Sequence, residues 1–207
     1  MNREEIRKEV VALGAENIAR EDGGEDRINR WIQQAIRWLC DFKPWPFLFD
    51  EQEGSAPLAI ADLGHVVAVS DLTNRNPIEP ITLNQILLGD PNLDGVGNAE
   101  YWYTEDGGKT IKVYPAPSGG GSFRVDYRKT PALLEDDDEP IVPEDYQELI
   151  ITRARVEVYK ATDNFEAAVE VLKDYERGRG EMVHALMKPN YDKERRLTRS
   201  GRFGDYL

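Results

Sequence analysis

The sequence predicts an α+β fold: a four-helix bundle interrupted by a small antiparallel β insertion module, with an extended C-terminal tail. Three observations predict it. Apolar residues recur at helical spacing near both ends of the chain and at every second position in the middle. Prolines mark both changes of period, at Pro44 and Pro46 and again at Pro143. The last twenty residues hold few core-type side chains. The expected divisions are residues 1–44 and 132–187 for the two halves of the bundle, 45–131 for the β insertion, and 188–207 for a basic C-terminal arm.

Each element follows from local pattern. Residues 2–20 read as one amphipathic helix with Ile6, Val10, Leu13 and Ile18 on its apolar side, stopped by Gly23-Gly24. A second helix over 25–42 carries a wide aromatic face of Ile28, Trp31, Ile32, Ala35, Leu39 and Phe42, flanked by Ile36 and Trp38, which suits the centre of a bundle. Short strands are expected at 47–50, 66–69, 101–103, 110–114 and 122–128; the last alternates Phe123, Val125 and Tyr127 inward with Arg124, Asp126 and Arg128 outward. Asp106-Gly107-Gly108 reads as a hairpin turn. Thr82 is the expected N-cap of a short helix over 83–88. After Pro143 come a helix ending near Thr162 and a last helix capped by Asp163-Asn164 and closed by Pro189.

The chain has 207 residues, a formal net charge of −13 and one cysteine. That length can bury a core without staples. A lone Cys40, set among apolar helix residues, excludes an intrachain disulfide and reads as a small buried hydrophobe. Two histidines and one cysteine are too few for a structural zinc site. No apolar run is long enough for a membrane span, so a soluble chain made in a reducing cytosol is expected. The charge is uneven. Residues 188–207 hold six basic and three acidic side chains, so the tail is +3 and the rest of the chain −16. An acidic body disfavours nonspecific adhesion to DNA.

The motifs that could carry chemistry have simpler readings. Asp90-Pro-Asn92-Leu-Asp94-Gly95 opens like a calcium loop, but Tyr101 stands where the bidentate glutamate belongs, so a plain turn is expected. Glu135, Asp136, Asp137, Asp138 and Glu139 form a carboxylate run; consecutive acids in a loop cannot all face one metal, and a solvated linker is expected. Gly119-Gly120-Gly121 lacks the lysine and helix of a phosphate loop. Trp31, Trp38 and Trp45 sit with Ile and Leu at helical spacing and read as core. No enzyme and no cofactor are expected.

Four stretches carry a resemblance. They are Ile28-Asn-Arg-Trp-Ile-Gln-Gln-Ala-Ile-Arg-Trp-Leu39 running into Trp45-Pro-Phe47, then Thr110-Ile-Lys-Val-Tyr-Pro-Ala-Pro117, then Phe123-Arg-Val-Asp-Tyr-Arg-Lys-Thr-Pro131, and the acidic loop followed by Ile141-Val-Pro-Glu-Asp-Tyr-Gln-Glu-Leu-Ile150. In their order and spacing the chain resembles the head-to-tail adaptor (connector) proteins of tailed bacteriophages. The resemblance implies a structural virion protein of the neck between capsid and tail, made in the bacterial host cytoplasm. It implies a ring of copies, twelve in the family's manner, beneath the portal protein, which extends the DNA channel and offers a platform to a downstream tail or nozzle protein.

The resemblance also implies a C-terminal arm on the portal, here with Tyr191, Arg195, Arg196, Leu197, Arg199, Arg202, Phe203 and Tyr206 as contact residues. Glu135–Glu139 are candidates for the channel lining, where acid would let DNA pass without specific binding. The competing readings are another neck or tail-completion protein on the tail tube, a carboxylate-metal nuclease, and a DNA-binding regulator using the basic tail.

Overall fold

The computed structural model describes residues 1–187. Helix α1 (Arg3–Val10) starts at Asn2, whose side chain accepts from the Glu5 amide while the Glu5 carboxylate accepts from the Asn2 amide. This reciprocal cap satisfies two donors that a helix start leaves open. A π turn (Val11–Ala15) and a short α2 (Glu16–Ala19) follow. The expected unbroken helix over 2–20 is corrected: Gly14 stands at φ 131°, a conformation glycine adopts freely and side-chain-bearing residues avoid.

Helix α3 (Gly24–Phe42) buries Ile28, Ile32, Ala35, Ile36, Leu39 and Cys40. Its aromatic residues do not all join them. Trp38 and Phe42 are 36% and 40% exposed, along the rim of the apolar face. The centre of the helical layer is α5 (Glu148–Ala161), which packs against α1, α3 and α6 (Phe165–Leu186). Asn164 caps α6 by accepting from the Ala167 amide at 3.3 Å, as its sequence position suggests.

Seven strands form one sheet: β1 (Phe49–Gly54), β2 (Leu58–Ala59), β3 (Leu63–Asp71), β4 (Asn76–Pro80), β5 (Tyr101–Glu105), β6 (Thr110–Tyr114) and β7 (Phe123–Lys129). Their order is β1-β7-β3-β4-β5-β6-β2. Every pairing is antiparallel except β4 with β5, which run parallel over Glu79–Tyr101 and Pro80–Trp102. Helix α4 (Leu83–Gly89) fills that crossover, with Thr82 and Gln85 forming its capping box.

The predicted fold class is therefore corrected. The described residues form a mixed α/β structure, with five helices (the broken first one counted once) and a nearly closed, barrel-like seven-stranded sheet. It is not a four-helix bundle carrying a small β insertion. The signal for the missing strands is weak for physical reasons. Strand β2 is two residues long, and β4 reads Asn-Pro-Ile-Glu-Pro, whose prolines cannot donate to a ladder.

Two cores result. One joins Ile6, Ile28, Ile32, Leu39, Trp45, Ile150 and Met182 among the helices; the other joins Ile60, Val69, Ile111, Phe123, Val125 and Tyr127 inside the sheet. They meet at the end of α3, where Arg128 of β7 donates to the Cys40 carbonyl at 2.8 Å. Cys40 is fully buried, and desolvation, with Asp41 beside it, pushes its thiol up to about 12. It behaves as the small apolar side chain the sequence suggests. Among the described residues, no helix is long and apolar enough to cross a membrane.

Candidate functional site

The acidic loop is the best-defined polar feature of the helical layer. The linker from β7 first lies down on α3. Gln33 grips it on both sides, donating to the Ala132 carbonyl at 2.8 Å and accepting from the Leu134 amide at 3.1 Å. Glu135, Asp136, Asp137, Asp138 and Glu139 then pass the start of α1, all five exposed.

Helix α1 reaches out to two of them. The Arg3 guanidinium donates to Asp136 Oδ1 at 2.7 Å and to the Leu134 carbonyl, and Arg7 adds a contact to the same carboxylate oxygen at 3.3 Å. The first-turn amides of Arg3 and Glu4, which have no partner within their own helix, donate to the carbonyls of Asp138 and Asp136 at 3.0 and 3.1 Å. Asp138 turns inward on the loop, accepting from the Glu135 amide at 2.7 Å.

The run therefore does not converge on one point. Asp136 and Asp138 hold the loop to α1, whereas the carboxylates of Glu135, Asp137 and Glu139 have no partner among the described residues. The expected solvated linker is thus half right: the loop is exposed but fastened. Sequence reasoning missed the fastening because Arg3 and Arg7 lie more than a hundred residues from their partner.

The Arg3 hydrogen bond, aided by Arg7, holds the Asp136 carboxyl below its ordinary value. A depressed folded-state pKa contributes stability that is present above the ordinary aspartate pKa and lost as pH falls through the folded one. Asp136→Asn should therefore lower the unfolding midpoint at neutral pH, and the gap from the parent should close in acid. Equal midpoints at pH 7 would show that the clamp contributes nothing.

The other motifs resolve into structure. Asp90 Oδ2 accepts from the Gly95 amide at 2.8 Å and from the Tyr114 hydroxyl at 2.9 Å, bonds that lower its pKa and close the turn. Trp45 is fully buried, its indole donating to the Leu39 carbonyl at 2.6 Å. Trp38 is corrected from core to rim: the Arg153 guanidinium lies 3.6 Å above its ring, and Arg179 lies 3.8 Å above Phe42. His65 stands on β3 and His184 on α6. Among the described residues, no three His, Cys, Asp or Glu side chains form a group that could hold a metal ion. Tyr191, Arg195, Arg196, Leu197, Arg199, Arg202, Phe203 and Tyr206 lie outside the described residues.

A protein-family model described as SU10 adaptor protein matches residues 1–202. No curated protein matches the chain.

Proposed function

The chain belongs to the SU10 adaptor protein family, structural head-to-tail adaptors of phage necks that meet portal and tail components, and from that premise we propose how this member works. It forms a ring of about twelve copies under the portal, extends the DNA channel, and presents its far side to the next tail component. The observation that carries this reading is the family match, which covers nearly the whole chain.

The charge distribution supports it. A ring of strongly acidic bodies concentrates negative charge around a bore, and like charge keeps the phosphate backbone from adhering. The exposed run Glu135–Glu139 faces that bore in this proposal, so DNA passes without specific binding. The basic tail, carrying Arg195, Arg196, Arg199 and Arg202 with Tyr191, Leu197, Phe203 and Tyr206 between and around them, docks on the portal.

Sedimentation of the purified chain with the portal ring of the same genome tests this. The expected result is a portal heavier by about a dozen copies. Changing Arg195, Arg196 and Arg199 to Glu should weaken the association and flatten its salt dependence. Undiminished binding by that variant would overturn the electrostatic arm, and no binding by the parent at any salt would overturn the portal partner. A reconstruction of the neck with Glu135–Glu139 on the outer wall would overturn the bore assignment.

A further inference from the structure

Two surfaces of the helical layer have no partner among the described residues, and they complement each other. The first is an open groove of about 920 Å³ between the outer side of α3 and the linker lying on it. Arg30 and Arg37, two turns apart, are exposed along its α3 wall and make no ion pair among the described residues. Leu133, 71% exposed, forms the opposite lip. The Gln33 and Arg3 bonds to the linker hold that lip in place, so the groove is preformed.

The second surface is the outer side of the first turns of α6. Phe165 and Val169 are 61% and 52% exposed, one turn apart. Glu166 and Glu170 lie beside them, also exposed and without an ion pair among the described residues. No residue of α6 lines the groove, so one copy's ridge does not fill its own groove. The two glutamates stand about 6 Å apart along their helix and the two arginines about 10 Å along theirs, a difference that long guanidinium side chains absorb.

We propose that the groove of one copy receives the α6 ridge of the next. Phe165 and Val169 cover Leu133, and Glu166 and Glu170 meet Arg30 and Arg37. Second copies of so acidic a chain repel one another, and uncompensated guanidiniums are what turn that repulsion into attraction at one place. Groove and ridge are different surfaces, so copies add head to tail, the kind of contact that closes a ring or runs on as a filament. This rests on the reading of the chain as an assembly of copies, and it names the faces that such an assembly uses.

Sedimentation of the full chain at low salt and high protein concentration tests the proposal. The parent should associate and lose mass as salt rises. Arg30→Glu with Arg37→Glu, and separately Glu166→Arg with Glu170→Arg, should each leave a monomer with unchanged circular dichroism and melting temperature. Mixing the two variants should restore assembly with both in equal number, because each reversed face then meets its complement. A parent that stays monomeric, a reversed variant that assembles like the parent, or a mixture that stays monomeric would each overturn these faces. Portal binding is read separately, so retained portal binding with insensitive self-association leaves the adaptor reading standing and removes only this interface.

Discussion

Gly24→Ala should destabilise the chain by about 4 kcal/mol or more, at the far end of what single substitutions do. Gly24 opens α3 directly after the turn from α2, and its amide donates to the Glu21 carbonyl at 3.0 Å. A Cβ at this position would lie 1.8 Å from the Ile18 carbonyl oxygen and 2.8 Å from the carbonyl carbon. Both are backbone atoms, so no rotamer change relieves the overlap, and the turn joining α2 to α3 has to open. Domains hold only about 5–15 kcal/mol in total, so much of the margin goes.

The neighbouring Gly23 is the control. It stands at φ 70°, and an added methyl group would meet nothing within 4 Å. Gly23→Ala should cost only the left-handed strain, about 1–2 kcal/mol. Urea midpoints of the two variants compare these directly. Equal, small losses would show that the α2–α3 turn is not the close approach described above.

Trp45→Ala should cost about 3–5 kcal/mol, the range for deleting a fully buried aromatic side chain. Trp45 is 0% exposed and stacks on Phe47 with ring centroids 6.2 Å apart and planes 11° apart. Its indole donates to Leu39 near the end of α3, where carbonyls lose their helical partners. It stands where the helical layer hands over to β1, so the loss falls on the joint between the two cores. Trp45→Phe separates the two contributions. It keeps most of the apolar contact but leaves the Leu39 carbonyl without that donor, at about 1–3 kcal/mol. If Phe and Ala cost the same, the hydrogen bond rather than the ring holds the joint; if Phe costs nothing, the ring alone does.

Much of the local structure was legible in the residues. The Thr82 cap, the alternation of Phe123, Val125 and Tyr127, the cap at Asn164 and the burial of Cys40 each depend on neighbours within a few positions. The order of the segments was enough to suggest the adaptor family to which the chain belongs. Charge counting alone separates an acidic body from a basic tail.

The tertiary structure decided the rest. It broke the first helix at Gly14, because spacing alone records which residues are apolar and not the backbone angle between them. It put Trp38 and Phe42 on the rim and covered them with Arg153 and Arg179, since helical periodicity defines an apolar stripe but not how far the neighbouring helices extend over it. It fastened Asp136 to Arg3 and Arg7 and drew β1, β7, β3, β4, β5, β6 and β2 into one nearly closed sheet. These are pairings between residues far apart in the chain. A local pattern states what each segment must bury or satisfy, and only the packed whole selects which distant group does it.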